Sequence, residues 1–271
     1  METVFNEKTL RMASFFGMLV WMGAWEYGFK RKKRVDSTFK RWLNNLGMVA
    51  ISNLLLQSGV IMLPVSFAAY TQSRGMGLFS QINPPVWAEW IAALVILDFI
   101  IYLQHILFHF VPVLWRLHQV HHSDLDIDVT TAIRFHPVEI IISLFIKLTA
   151  VAAFGFPPGA VLLFEIVLNA TAMFNHANIY IPAGADRFIR GILITPDMHR
   201  VHHSVIMKES NTNFGFCLSL WDRLCGTYTA QPGAGHDGMT IGLGYVRKHK
   251  SLIQLLIMPF LKEGSVTNKS H

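Results

Sequence analysis

Apolar residues gather in five long stretches along this chain: residues 12–29, 46–70, 86–111, 138–156 and 159–181. A bilayer core of about 30 Å takes roughly 20 apolar residues in helix, so each stretch approaches a membrane-spanning length. The first carries one internal charge, Glu26, and the second has Pro64 near its end. The last two are joined by Phe156-Pro157-Pro158-Gly159, a tight break that makes them a hairpin, spanning or re-entrant. The first stretch has the length of a signal peptide. It lacks a small-residue cleavage site, and a basic run follows it instead of preceding it, so it is read as retained. Residues 252–260 are too short to span and are expected on the membrane interface or packed on the polar segments. The tail 262–271 reads as disordered, and its Asn268-Lys269-Ser270 sequon as chance. No linker-like stretch divides the chain. Residues 1–271 are therefore expected to form one all-α membrane protein with four to five transmembrane helices and a cytoplasmic helical cap, made of residues 112–137 and 182–251.

Charge sets the orientation. Only 15% of residues are charged against 52% hydrophobic, where a quarter charged is usual for a soluble domain. The net charge of +6 is localised: Lys30, Arg31, Lys32, Lys33, Arg34, Lys40 and Arg41 stand against Asp36. With apolar stretches on both sides, this run reads as a cytoplasmic anchor beside anionic headgroups, not as a nucleic-acid site. Following the stretches from there brings the ends near residues 105–109, 136 and 176, and everything after 182, to the cytoplasmic side. The two cysteines, Cys217 and Cys225, form neither a metal-type pair nor a disulfide framework and read as reduced packing residues.

That side is where the histidines lie. His-x-Val-His-His-Ser occurs twice, as His118, His121, His122 and as His199, His202, His203, and His105 and His109 stand just upstream. These windows hold eight of the 13 histidines. Residues i and i+4 share a helix face, so His105 and His109 point together, in line with Asp98 and Tyr102. A carboxylate at membrane depth is expensive, and Asp98 is expected to accept a hydrogen bond from a ligating imidazole. The second copy has a helix start in Thr195, Pro196 and Asp197; the first follows Pro112. His176, at a helix end, is a further expected ligand. His136, before Pro137, is open between ligand, support for a ligand and headgroup contact. His236, His249 and His271 fall outside the pattern. Imidazole suits Zn, Cu, Fe and Ni. Four ligands complete one structural ion, so eight or more suggest two. A pH sensor would not need the repeated spacing. A metal transporter would need ligands along a path through the bilayer, and a bis-His haem carrier would need only two to four histidines.

The ordered boxes HxxxH, HxxHH and HxxHH resemble those of the fatty acid hydroxylase/sterol desaturase superfamily. The resemblance covers about residues 97–228. It takes in Arg134-Phe135-His136-Pro137, Asn175-His176, Asn213-Phe214-Gly215, Trp221-Asp222 and Gly226-Thr227-Tyr228. It implies a non-heme di-iron centre held by His105, His109, His118, His121, His122, His176, His199, His202 and His203. Asn175, Asn213 and Asp222 are implied as supporting residues. It further implies O2 as co-substrate, a lipid substrate oxidised by hydroxylation or desaturation, and a separate electron donor of ferredoxin, cytochrome b5 or reductase type. No His-Pro-Gly-Gly haem motif is present. Many members have an acidic residue near Asn211 and an aromatic at Cys225. These departures leave the ligand positions intact and bear on the substrate.

Overall fold

The computed structural model describes residues 2–57 and 62–261, and all regular structure among them is helical. Helix α1 spans Glu2–Gly28, α2 Thr38–Leu56, α3 Pro64–Ser73, α4 Leu78–Ile82, α5 Val86–Phe110 and α6 Pro112–His122. A 3-10 turn at Thr131–Ile133 precedes α7, Pro137–Phe154, and α8, Pro158–His176. Short helices follow: α9 Ala183–Ile189, α10 Pro196–His202, α11 Met207–Ser210, α12 Leu220–Leu224, α13 Gly235–Gly238 and α14 Leu252–Ile257.

Three helices, α5, α7 and α8, are long and apolar enough to cross a membrane. The expected stretch 12–29 lies inside α1, which is long enough but not apolar enough; it reaches back through Arg11, Lys8 and Glu7. The expected stretch 46–70 is not one helix. Helix α2 ends at Leu56, and a separate α3 begins at Pro64, whose ring fits the first helical position. Residues 58–61, like the tail 262–271, lie outside the described residues.

The hairpin of α7 and α8 forms the spine. Gly155 ends α7 in the left-handed conformation (φ 71°), and Pro158 opens α8. A side chain on Gly77 would collide with the Gly155 backbone nitrogen at 2.2 Å, so the two backbones touch. Phe79 of α4 packs on Phe156 at 5.6 Å between ring centroids, and Trp90 near the start of α5 abuts Gly159. One end of the bundle is therefore the hairpin tip. Leu97, Ile101, Val151, Val161 and Phe164 fill the core between α5, α7 and α8. The charges in the middle of the α7–α8 hairpin are paired: Glu165 of α8 holds Lys147 of α7 and Arg11 of α1, each at 2.6 Å. A carboxylate in an apolar layer is costly without partners that pair or hydrogen-bond it.

At the opposite end the basic run turns inward. Arg31 donates to Asp197, Arg34 to Glu26, and buried Arg41 grips Asp124 through Nε (2.6 Å) and Nη2 (2.8 Å) and Asp128 through Nη1 (2.6 Å). Burial alone would raise the Asp124 carboxyl; Arg41 and Arg134 outweigh it and hold the group below its usual range. Lys30, Lys33 and Lys40 remain exposed. Half of the run that reads as a headgroup anchor instead fastens α1 and α2 to the segments covering the histidines. Residues 252–260 pack rather than float: Leu255 and Met258 join Met48, Val120, Leu243 and Val246 in a buried cluster. Cys217 is buried, but Cys225 is exposed and fills no core.

Candidate metal centre

The ends of α5 and α8, the helices α6 and α10, and the start of α7 meet at the end away from the hairpin tip. Helix α6 begins at Pro112 and α10 at Pro196, each with proline at the first position. Thr195 caps α10 by accepting from the Met198 N–H. These short helices carry the two His-x-x-His-His copies, all six histidines buried.

The nine expected ligands come together in two groups. His105, His109, His118, His122 and His202 form one, and His121, His176, His199 and His203 the other; within each, the candidate ligand nitrogens lie within 4.8 Å of one another. The two copies exchange roles. In the first, His118 and His122, four apart, face the five-histidine group, and His121 faces the other. In the second, His199 and His203, four apart, face the four-histidine group, and His202 crosses back. The spacing does this: i and i+4 share a face, and the intervening residue points aside. His122 and His203, from different groups, stack at 4.6 Å between centroids, so the groups adjoin.

Hydrogen bonds around the rim fix the rings. His105 Nδ1 donates to the Phe214 carbonyl at 2.7 Å, His109 Nδ1 to Asn211 Oδ1 at 3.1 Å, and His202 Nδ1 to the Thr212 carbonyl at 2.8 Å. His118 Nδ1 donates to Glu139 Oε1 at 2.7 Å, and His176 Nδ1 to the Ala172 carbonyl at 2.7 Å. An imidazole that donates from Nδ1 presents a bare lone pair at Nε2. His105 and His118 therefore aim two lone pairs at each other, Nε2 to Nε2 3.2 Å, with no hydrogen between them. His202 Nε2 is buried with no partner among the described residues. Such an arrangement is costly unless a cation lies among the lone pairs. Imidazole–metal bonds of about 2.1 Å at right angles place nitrogens about 3 Å apart, the separation seen here. Burial pushes the His118 imidazole down to about 3. Burial, then neighbouring imidazoles, holds His121, His122, His199, His202 and His203 well below the ordinary value. All six stay neutral, the form that ligates a metal.

The remaining expected residues stand around this centre. Asp98 accepts from the Cys217 and Leu218 N–H groups and from Trp221 Nε1. This corrects its expected role: it pins the covering loop, not an imidazole, because its own face of α5 meets residues 217–221. Tyr102 bonds Thr227, and Asn175 Nδ2 donates to the Phe216 carbonyl. Asn213, in the left-handed region (φ 54°), donates to the Met198 and Thr229 carbonyls. Asp222 takes the Phe214 and Gly215 N–H groups and is raised to about 6 by burial. A Cβ on Gly215 would meet Asp222 Oδ2 at 2.9 Å, so only glycine allows this approach. His136 belongs to neither group: its Nδ1 accepts from Val138 N–H, capping α7, and its Nε2 donates to the Leu256 carbonyl.

A family model described as fatty acid hydroxylase matches residues 90–227, just over half of the chain. The chain belongs to the fatty acid hydroxylase family. It is 30% identical over 206 residues to an ornithine lipid hydroxylase, OlsE, of Rhizobium tropici, covering 74% of this chain and 60% of that protein. It is 32% identical over 145 residues to the alkylglycerol monooxygenase of Homo sapiens, covering 52% and 31% of the two chains. With methylsterol monooxygenase 2-2 of Arabidopsis thaliana it shares 26% over 181 residues, 65% and 67%. The chain thus spans less than two thirds of the first of these and about a third of the second. No solved structure matches it.

Within this family member, two supporting residues escape the motif reading. Glu139, three residues after His136, holds His118 from the first turn of α7. Its sequence signal is a carboxylate opening an apolar helix, and it performs the task that Asp98 suggests. Asn211, at one of the departures, holds His109.

Proposed function

We propose that this protein is a membrane-embedded, non-heme di-iron oxygenase that hydroxylates a lipid, with O2 as co-substrate and electrons from a separate ferredoxin-, cytochrome b5- or reductase-type donor. The observation that carries this reading is the set of nine buried imidazoles in two adjoining groups at one end of three apolar helices. The relatives named hydroxylase or monooxygenase support hydroxylation over desaturation. His105, His109, His118, His122 and His202 would hold one iron, and His121, His176, His199 and His203 the other. A bound iron pair supplies the O2 activation that attack on a strong C–H bond requires and that side chains lack.

The chain's own residues supply position and dryness. Glu139, Asn211 and the carbonyls of Thr212 and Phe214 fix the imidazole tautomers. Phe135, stacked on His121 at 4.5 Å between centroids, and Phe214, 5.5 Å from His105, wall the groups from water. The apolar helices let a lipid reach the centre from the bilayer. We place the histidine end on the cytoplasmic side, because the basic run 30–41 is bound to it through Arg31 and Arg41. We count α5, α7 and α8 as passes; the four to five expected would be completed by α1 and the divided α2–α3, which are less apolar.

The test is O2 uptake by iron-loaded protein in lipid vesicles. Uptake should require both a reductant and a lipid, and a hydroxylated lipid should accumulate. Stoichiometric zinc after iron-supplemented expression, with no O2 uptake, contradicts the reading.

A further inference from the structure

Two buried arginines use the same edge of the guanidinium differently. Arg41 presents its Nε/Nη2 fork to the two oxygens of Asp124. Arg200, fully buried beside His199, gives only Nη1, to Asp197. Its Nε and Nη2, the edge that matches a two-oxygen acceptor, have no partner among the described residues.

His236 of α13 stands at the same place. It is buried, and neither ring nitrogen has a hydrogen-bond partner among the described residues; Nε2 is 3.6 Å from Asp197 Oδ2, too long for a hydrogen bond. Whichever tautomer it takes, one N–H is unspent. Arg31 lies against the same Asp197 carboxylate through Nε at 3.1 Å and reaches Asp237 through Nη1 at 2.8 Å. Lys32 donates to the carbonyls of Asp237 (2.5 Å) and His236 (3.4 Å). Three cations, Arg31, Lys32 and Arg200, thus face two carboxylates, Asp197 and Asp237. Glu26, also near Arg200, is spent on Arg34 and on the Val129 and Asn178 N–H groups. The cluster leaves at least three buried donors unmade. Leaving charged donors desolvated and unpaired is among the costliest arrangements in a folded chain.

We propose that the Nε/Nη2 edge of Arg200, flanked by His236 and Arg31, is an oxyanion-binding site for a phosphate or carboxylate group. The oxyanion occupies Arg200 as Asp124 occupies Arg41. It is supplied by a lipid headgroup or by a free anion, and the site does not depend on a metal being bound nearby.

The test is equilibrium binding of inorganic phosphate to the full-length protein in uncharged detergent, with and without iron, together with the thermal midpoint. Wild-type protein should bind about one phosphate per chain and melt higher in its presence. Arg200→Lys, which keeps the charge but loses the fork, and Arg200→Gln should each weaken binding about tenfold or more, the worth of a charge-assisted pair. His236→Ala should weaken it several-fold, and Lys33→Gln, on the surface, should leave it unchanged. A short-chain phosphatidic acid that displaces phosphate at lower concentration identifies a headgroup site; phosphate held against it identifies a free-anion site. Absence of saturable binding by wild-type protein to either probe overturns the proposal, as does binding that survives in folded Arg200 variants. Neither outcome depends on O2 uptake, so failure here is distinct from failure of the oxygenase reading.

Discussion

The two histidine groups are built from the same motif but are not held alike. In the five-histidine group, four Nδ1 atoms are tied outward, to Phe214, Asn211, Glu139 and Thr212. In the four-histidine group only His176 is tied, to Ala172; the Nδ1 atoms of His121, His199 and His203 have no partner among the described residues. Rings tied at the rim keep one tautomer and one orientation, and rim partners typically matter 10–100-fold to metal affinity. The difference teaches that burial alone does not prepare a ligand. One group is preorganised by the 211–214 loop and α7, whereas the other depends on packing.

The largest effect should come from removing one ligand in each group. His202→Ala and His121→Ala should both abolish turnover, and each should lower bound iron, from different groups, as metal analysis of the purified variants will show. Glu139→Gln comes next. It should weaken metal binding at the five-histidine group by about 10–100-fold and spare the other, read by chelator titration. In wild-type protein the same titration should release the four-histidine ion first; simultaneous release would erase the comparison. Acid should act on both groups alike. The buried imidazoles have depressed values in the fold against an ordinary 6.5. Below about pH 6.5 the unfolded chain therefore takes up protons that the fold refuses, and the metal-free protein loses stability as pH falls. Denaturant midpoints across pH 5 to 8 will show it. A small effect is expected at His136→Ala: about 1 kcal/mol of stability from the lost cap of α7, with metal content unchanged. His249→Ala should change neither metal content nor activity, since His249 pairs with Asp36 away from both groups.

The sequence makes eight of the nine histidines legible because i, i+3, i+4 spacing survives any tertiary arrangement of a helix; His176 stands alone and is marked only by its place at a helix end. It does not reveal how they divide. Read box by box, His118, His121 and His122 belong together, yet His121 sits with His176 of α8, Nε2 to Nε2 3.1 Å. Asp98 and Glu139 illustrate the same boundary. Both are carboxylates in apolar helices near histidines, and which one meets an imidazole is decided by rotation about the helix axis, which no local pattern encodes. The hairpin is legible from the break Phe156-Pro157-Pro158-Gly159. The division of 46–70 was less so, because one proline near the end of an apolar stretch is compatible with a kink as well as a break. The basic run is a charge pattern whose partners, Asp124, Asp128 and Asp197, lie far away in sequence.

The central claim is that two distinct metal positions lie within one buried histidine cluster. The most direct measurement is the iron content of protein from iron-supplemented cells, for the wild type and for the Glu139→Gln, His121→Ala double variant. The account predicts about two iron ions per chain in the wild type, and loss from both positions in the double variant beyond that in either single one. A wild type that holds one ion, or whose ions are lost together in each single variant, contradicts it.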